Sequence, residues 1–254
     1  MTETVVYLYA IGEPALTDDP VVGTLTGVTD APVHLLGTRE LVAAVSAVDA
    51  GDFTESALRH NLENLSWVAT TARAHHGVVD ALAHHHTVAP VRLATVYRTE
   101  DGVRALLDHH AEDIAGVLER VRDHGEWAVK AFRAAEPEPD PDAPADSARP
   151  GTSYLLRRRS AHDRAAATRK ALSRAVEQLD QALSRYAAAR RRYPPQDPQL
   201  TGDSEEMLLN AAYLVDQGRT EQFCQVARQW DGDRLRLALS GPWPAYSFTA
   251  VEQI

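Results

Sequence analysis

The sequence predicts an α+β protein built from two units of related layout, each with the order strand, long helix, strand, short helix, strand. Three observations favour this class. Short β-rich runs alternate with helical periodicities, two long helices begin near residues 55 and 160, and an acidic, proline-rich segment at 136–150 interrupts the second half. We therefore expect two ferredoxin-like or split βαβ-type units, at residues 1–124 and 125–254, with long helices packed on antiparallel or mixed sheets. Helices covering one sheet face would leave the other face or an edge for a partner.

Strands and turns open the first unit. Residues 4–11 are a β-rich run closed by a glycine and a proline, and a loop rich in Gly, Thr, Asp and Pro follows at 13–32. Two short strands are predicted at 33–36 and 41–48, on either side of a Gly-Thr turn signal. A further strand is predicted at 88–97, where Val and Leu alternate with more polar positions.

Two helices complete the first unit. Residues 55–85 predict one long helix, because its apolar positions step by four and three and so share one face. That face is expected to turn toward the core and contains Leu58, Leu62, Leu65, Ala69, Ala72, His76, Val79 and Ala83. Thr99 is predicted to cap a second helix that runs to about Asp123, with Asp101 in its first turn.

The second unit begins with a strand at 126–133, followed by the segment 136–150. Five acidic residues and five prolines in that segment leave too little apolar surface to offset the entropy of ordering, so we expect a mobile excursion. A strand is then predicted at 152–157 and a long helix at 160–192, stopped by three prolines. The apolar stripe of that helix consists of Leu172, Val176, Leu179, Leu183 and Tyr186.

Three elements close the chain. A strand is predicted at 207–215, a short helix at 220–230 and a strand at 234–240. The last strand is expected to end at Gly241, because the two prolines that follow remove backbone donors and fix φ.

Composition narrows the function classes. A chain of 254 residues with 44% apolar and 24% charged residues is long enough for one large domain or two ordinary ones. The formal charge of −10 argues against a general nucleic-acid binder. Cys224 is the only cysteine, so an intramolecular disulfide is excluded and a cytoplasmic location is expected. No apolar run approaches the length needed to cross a bilayer, and we expect no lipid membrane as a partner.

Catalytic and metal-binding patterns are weak. The chain has no glycine-rich phosphate loop and no nucleophile elbow, so we expect neither an enzyme nor a cofactor. Eleven histidines invite a metal hypothesis, but His75 and His86, which share a helix face, would lie roughly 16 Å apart. We expect no metal site, with His76 facing the core and the other histidines of this helix solvated. Cys224 is expected to be a small buried apolar residue, and Arg92 either pairs with a buried carboxylate or faces solvent.

Positive charge is concentrated in the second long helix. Residues 157–192 contain ten arginines and one lysine against three acidic residues, about +8 in an otherwise acidic chain. One interpretation is a solvated helix face with intrahelical ion pairs. The other is a docking surface for an acidic partner, or for the chain's own segment 136–150, since the forked donors of arginine suit carboxylates. The candidate partner-binding residues on this helix are Arg164, Arg169, Arg174 and Arg185.

Aromatic side chains are concentrated near the carboxyl terminus. Trp243, Tyr246 and Phe248 fall within six residues of a chain that is 6% aromatic. They are candidate partner-binding residues, because tryptophan and tyrosine are common interface anchors. The alternative is a proline-rigidified strand end that buries Trp243 under the preceding helix.

Six segments, taken in order along the chain, resemble the gas vesicle protein F/L family (GvpF/GvpL). The most specific is Gly241-Pro242-Trp243-Pro244-Ala245-Tyr246-Ser247-Phe248, which is similar to the terminal signature of that family. The other five are Val6-Tyr7-Leu8-Tyr9-Ala10-Ile11, Ala89-Pro90-Val91-Arg92-Leu93-Ala94-Thr95-Val96-Tyr97, Glu126-Trp127-Ala128-Val129-Lys130, Gly151-Thr152-Ser153-Tyr154-Leu155-Leu156 and Leu209-Asn210-Ala211-Ala212-Tyr213-Leu214-Val215. The sequence departs from the family pattern where Leu93-Ala94 replaces Phe-Gly, Ala128 replaces Gly and Ala245 replaces Pro.

The resemblance implies an accessory or minor structural protein of gas vesicle assembly. Its implied partners are the main gas vesicle shell protein, which is small and hydrophobic, and other vesicle accessory proteins, and its implied location is the gas vesicle. Two alternatives remain open at this point. One is a small-molecule or metal-binding α+β enzyme with a site dispersed in sequence, and the other is a nucleic-acid regulator that uses the arginine-rich helix.

Overall fold

The computed structural model describes residues 3–134, 152–196, 205–232 and 234–249. Packing divides the chain into two compact units, Met1–Glu126 with Pro242–Ile254, and Trp127–Gly241. Each unit contains helices and one sheet, which confirms the predicted α+β class. The division into domains at 1–124 and 125–254 stays a prediction, and the segment 136–150 lies outside the described residues.

Five strands form the sheet of the first unit. Their order is β2-β3-β1-β4, with β5 also beside β1, and all of these pairs are antiparallel. The strands are β1 (Thr4–Gly12), β2 (His34–Gly37), β3 (Val42–Asp49), β4 (Val88–Pro90) and β5 (Val96–Tyr97). The central strand β1 is buried from Val6 to Gly12, as expected for an uninterrupted apolar run.

The strand predicted at 88–97 is two short strands, β4 and β5. Between them Ala94 has a φ of 63°, and the N–H of Thr95 donates to the carbonyl oxygen of Arg92 at 3.3 Å. The chain therefore turns between β4 and β5. The hydroxyl of Tyr7 accepts a hydrogen bond of 2.9 Å from the N–H of Ala94, which fixes the turn to β1.

The helices of the first unit are shorter than the sequence predicts. They are α1 (Ala50–Phe53), α2 (Glu55–Asn61), α3 (Leu65–Ala83), α4 (Glu100–His109) and α5 (Ala111–Val121). The predicted helix 55–85 is interrupted because the Asn64 side chain accepts from the N–H groups of Ser66 and Trp67 and starts a new helix. The predicted cap Thr99 accepts from the N–H of Gly102 at 3.2 Å, although that helix pauses at His110.

Helices cover both faces of the first sheet, so the expectation of one free face is wrong for this unit. The apolar side chains of α4 and α5 pack with Val6, Leu8 and Ile11 on one face. The buried residues of α3 pack with Tyr7 and Tyr9 on the other. Successive strand residues point to opposite faces, so a strand that is apolar throughout supplies two cores.

The second unit has the chain order βαββαβ. Its elements are β6 (His124–Arg133), α6 (Thr152–Ser184), β7 (Ala187–Arg192), β8 (Met207–Asp216), α7 (Thr220–Gln229) and β9 (Leu235–Trp243). The strand order β7-β8-β6-β9 is that of a ferredoxin-like sheet. The first unit shows the same order, with three 3₁₀ turns at Pro14–Asp18, Val22–Thr24 and Val28–Asp30 in the place of the first helix.

The core of the second unit lies between its sheet and two helices. Leu172, Val176, Leu179 and Leu183 of the predicted stripe are buried, and Tyr186 packs against them. Cys224 of α7 is 7% exposed and belongs to the same cluster, as its small apolar character suggested. The stripe was therefore identified correctly from its spacing.

Three boundaries in the second unit were predicted wrongly. Residues 152–157 begin α6 and are not a strand. The helix ends at Ser184, and residues 187–192, predicted as its last turns, form strand β7. Alanine and arginine favour helices, but pairing of β7 with β8 overrides that local preference. Strand β9 continues through Gly241, whose φ of 139° suits only glycine, to Trp243.

Candidate partner-binding surfaces

Helix α3 turns a different face to the core from the one the sequence predicts. Its buried residues are Thr71, His75, Val78, Val79 and Leu82. His75 is 3% exposed, whereas His76, the predicted core histidine, is only half-buried. Of the predicted stripe, Val79 is buried, and Leu58 and Ala83 pack against the core. Leu62, Leu65 and Ala69 are exposed instead.

The outward face of α3 is apolar near its amino end. Leu65 is 83% exposed, and Leu62, just before the helix, is 50% exposed. Residues at spacings of four and three share a helix face, so Leu65, Ala69 and Ala72 lead toward His76. Ala69 is exposed and Ala72 half-buried. We call Leu65, Ala69, Ala72 and His76 the α3 strip.

The segment 242–249 is fixed to the first unit by polar contacts. The carboxylate of Glu126 accepts from both the N–H and the hydroxyl of Ser247, at 2.7 and 2.5 Å. The hydroxyl of Thr249 donates to the carbonyl oxygen of Pro90 at 2.8 Å. A Cβ at Gly125 would lie 2.6 Å from the Pro242 ring, so glycine is needed for this close approach. The segment is thus a positioned part of the first unit.

The three candidate aromatic residues have different environments. Trp243 is 42% exposed, and its ring centroid lies 5.4 Å from that of His76, at the end of the α3 strip. Tyr246 packs on the core of the first unit, with its ring 6.2 Å from both His75 and His76. Phe248 is half-buried. The alternative that buries Trp243 under a helix therefore does not hold, and Tyr246 is mainly a packing residue.

Aromatic and histidine side chains fill the core beneath this segment. The Tyr7 hydroxyl lies 3.1 Å from Nδ1 of His75, and the Tyr9 hydroxyl donates to Ser46. Burial lowers the pKa of His75 to about 4, so this ring is neutral at physiological pH. Burial also raises the pKa of Tyr246, with the nearby charges of Asp80 and Glu126 acting in the same direction.

The part of the chain that the structure describes was also considered for a cluster of metal-ligating side chains. Within the four described ranges, no three His, Cys, Asp or Glu side chains come together in a way that could hold a metal ion. His86 instead lies 2.8 Å from the carboxylate of Asp19. Arg92, the other residue left open by the sequence, is exposed in the turn between β4 and β5.

A buried carboxylate organises the basic region of the second unit. The Asp180 side chain is 2% exposed and pairs with the guanidinium groups of Arg190 and Arg192. It also accepts a hydrogen bond of 2.6 Å from the Tyr213 hydroxyl. Burial acts to raise the pKa of Asp180, but the Tyr213 hydrogen bond and the two arginines outweigh it and lower the pKa. Two of the arginines assigned to a helix face are thus strand residues that neutralise an internal charge.

The sequence contained one signal for this network. Asp180 follows Leu179 within the apolar stripe of α6, at a position where a charged residue is buried only when it is paired. Its partners were hidden, because residues 187–192 were predicted to continue the helix.

Two open grooves border the junction of α6 with β7 and β8. One, of about 580 Å³, is lined by residues including Arg185, Arg190 and the three alanines of β7. The other, of about 260 Å³, is lined by residues including Arg169 and Arg192 together with Glu177 and Glu206. Of the four predicted arginines, Arg169 and Arg185 therefore lie beside Arg190 and Arg192. Arg164 and Arg174 are exposed on α6 and line neither groove.

Comparison with known proteins identifies the family. The model of the family described as "Gas vesicle synthesis protein GvpL/GvpF" matches residues 5–250. The gas vesicle protein L of Streptomyces sp. (strain CB03234) is 37% identical over 256 residues, which cover 99% of this chain and 95% of that protein. The chain belongs to the GvpL/GvpF family. The resemblance seen in the six segments is therefore confirmed.

Solved structures of GvpF share the fold of this GvpL/GvpF family member. The crystal structure of GvpF from Anabaena sp. PCC7120 matches with a TM-score of 0.68 at 17% identity, over 98% of this chain and 97% of that one. GvpF from Microcystis aeruginosa gives a TM-score of 0.67 at 19% identity, over 97% of this chain and 99% of that one. At these identities the likeness concerns the fold alone.

Family membership assigns the chain a gas vesicle related role. Within the described ranges, no helix has both the length and the apolar character required to span a bilayer.

Proposed function

We propose that this GvpL/GvpF protein is an accessory or minor structural protein of gas vesicle assembly that binds the small hydrophobic shell protein. The proposal places the protein in the cytoplasm, at the growing vesicle, where other vesicle accessory proteins are further partners. The observation that carries it is the exposed apolar surface formed by the α3 strip, Leu62 and Trp243. The large apolar side chains on this surface are those of Leu65, Leu62 and Trp243, which are 83%, 50% and 42% exposed.

Exposure of this kind has an energetic cost that binding removes. Large apolar side chains that cluster on a surface commonly mark interaction sites, because water contact is unfavourable for them. Single exposed leucines are ordinary, but here Leu65 shares a helix face with Ala69, Ala72 and His76, and Trp243 packs on His76. A hydrophobic partner segment laid along α3 would cover these residues together.

Trp243 is suited to anchor such a partner. The contacts of Glu126 with Ser247 and of Thr249 with Pro90 hold its segment on the first unit, so little conformational entropy is lost when the indole is covered. Interface energy is typically concentrated in a few tryptophan, tyrosine and arginine residues. We therefore assign the anchor role to Trp243 and the supporting apolar contacts to the α3 strip.

Co-expression with the main shell protein, followed by affinity capture and mass spectrometry, tests the proposal. The wild-type chain should retain the shell protein in a stoichiometric complex. Leu65→Glu and Trp243→Ala should each weaken capture by about 30-fold, the equivalent of about 2 kcal/mol for an interface hot spot. Because Leu65 is almost fully exposed, its replacement should leave the circular dichroism spectrum and the unfolding midpoint unchanged.

Thr70→Glu is the matched control. Thr70 is exposed on α3, about 140° around the helix from Leu65, so a carboxylate there adds the same charge on another face. Equal capture by wild type, Leu65→Glu and Trp243→Ala would refute the assigned surface. Failure of the folded wild type to capture the shell protein would refute direct binding.

A further inference from the structure

Strand β7 forms one edge of the second sheet. Within the described ranges it pairs with β8 alone, and the sheet order places no strand on its other side. All of its residues are exposed or half-buried. An unpaired edge presents a row of N–H and C=O groups to which an extended peptide can add.

Positive charge on this edge is held in fixed positions. Arg190 and Arg192 are two residues apart, so both point to the α6 side of the sheet, where Asp180 pairs with them. Their side chains remain 48% and 47% exposed. One carboxylate cannot occupy all ten donors of two guanidinium groups, so further N–H donors face solvent. The three groups together retain one net positive charge.

The grooves beside this pair leave room for a second chain. The alanines at 187–189 contribute only methyl groups to the groove of about 580 Å³, so a backbone can approach β7 closely there. Arg185 lies in the same groove as Arg190, and Arg169 in the same groove as Arg192, where Glu177 and Glu206 also form part of the lining. We call these four residues, Arg169, Arg185, Arg190 and Arg192, the arginine cluster.

We propose that the β7 edge and the arginine cluster bind an extended acidic segment of a partner protein, which adds to the sheet as a further strand. Charge complementarity determines the occupant: among its described lining residues the groove of about 580 Å³ has Arg185 and Arg190 and no carboxylate, and Arg190 with Arg192 exceeds the charge of Asp180 by one, so the edge attracts carboxylates. A second copy is disfavoured, because two β7 edges would place arginine against arginine. This surface lies in the second unit and is independent of shell-protein binding by the first.

The geometry also predicts the pattern of the partner segment. In an added strand, alternate side chains point to the same side of the sheet. Carboxylates at alternate positions would therefore meet Arg190 and Arg192 together, and bidentate pairing suits guanidinium groups. The expected motif is an acidic residue at every second position, without proline.

Three labelled eight-residue peptides test the proposal with the full-length protein, by fluorescence anisotropy. The first alternates glutamate with threonine, the second alternates lysine with threonine, and the third is the glutamate–threonine peptide with every backbone nitrogen methylated. The first should bind, the second should not, and the third should bind at least tenfold more weakly, since a methylated amide cannot donate a backbone hydrogen bond. Hydrogen exchange of β7 amides should slow only with the first peptide.

Paired charge reversals locate the site. Arg169→Glu with Arg185→Glu should weaken binding of the glutamate–threonine peptide at least tenfold. The described partners of the buried Asp180 are Arg190, Arg192 and Tyr213, so this double change leaves that network in place. Arg59→Glu with Arg73→Glu makes the same charge change at exposed positions of the first unit and should leave binding unchanged. Equal loss in both double variants would show a general charge effect and overturn the proposal.

Three further results would also overturn the proposal. Equal affinity for the unmethylated and the methylated glutamate–threonine peptides would exclude strand addition. Binding that appears only after deletion of residues 136–150 would assign the site to the chain's own acidic segment. Tighter and more salt-sensitive binding of a single-stranded oligonucleotide than of the acidic peptide would assign it to nucleic acid.

Discussion

Replacement of Asp180 by asparagine tests the buried network that positions the arginines of β7. The substitution keeps the shape of the side chain and an oxygen that accepts from Tyr213, but it removes the charge that pairs with Arg190 and Arg192. Removal of one partner from a fully buried ion pair costs about 3–5 kcal/mol. Both guanidinium groups here are about half exposed and can turn to water, so we expect a smaller loss of about 2–3 kcal/mol.

The dependence on pH has a defined sign. The pKa of Asp180 in the folded state lies below its ordinary value, so its contribution to stability is present above pH 4 and lost as pH falls through the folded-state pKa. Wild type should therefore exceed Asp180→Asn in stability at pH 7, and the difference should shrink toward pH 3.

Urea unfolding measured by circular dichroism at both pH values gives the two differences. Hydrogen exchange read by mass spectrometry then shows whether the loss is confined to the second unit, which matters because two units need not unfold in one step. Asp163→Asn, at a 71% exposed position of the same helix, is the control and should change stability by less than about 0.5 kcal/mol. A difference below that limit for Asp180→Asn at pH 7, or one that persists unchanged at pH 3, would refute the reasoning.

Two further predictions concern the backbone. Ala94→Gly should stabilise the protein by about 0.5–1 kcal/mol, because Ala94 has a φ of 63° that glycine adopts without strain. The control Ala115→Gly, within α5, should destabilise the protein by about 1 kcal/mol. If thermal unfolding shows a loss of stability for both variants, the strain assigned to Ala94 is wrong. Gly125→Ala should lower the free energy of unfolding by about 1–3 kcal/mol and speed hydrogen exchange in residues 242–249, because its Cβ would lie 2.6 Å from Pro242. The control Gly116→Ala, with open space around its Cβ, should raise the free energy of unfolding by about 0.5–1 kcal/mol. Equal effects of the two substitutions would show that there is no steric clash at Gly125.

Ala94 lies in the turn between β4 and β5, at a position where the backbone conformation favours glycine. In the resemblance drawn from the sequence, Ala94 stands where the family segment would have glycine. The structure places Ala94 in the left-handed region, with a φ of 63°. A family glycine at such a position is explained by the turn between β4 and β5, since a Cβ there is strained. The departure is therefore a local cost and leaves the fold unchanged.

Elements with strong local signals were predicted well from the sequence. The apolar run of β1, the stripe of α6 and the Thr99 cap depend on side-chain chemistry within a few residues. Strand β7 could not be found in this way, because alanine and arginine favour a helix and only pairing with β8 overrides that preference. The network of Asp180 with Arg190 and Arg192 was hidden for the same reason.

Helix α3 was misread because it is apolar in two directions. Spacings of four and three connect Leu65, Ala69, Ala72 and His76, and the same spacings connect Thr71, His75, Val78 and Leu82. Periodicity cannot choose between two such stripes, and the choice is made by packing against β1 and the aromatic side chains of the core. A helix with apolar residues on a second face either loses stability to water contact or has that face covered. On the proposed function, the shell protein covers this second face. The second apolar stripe, which made the sequence prediction of the buried face wrong, is therefore the surface proposed to bind the shell protein.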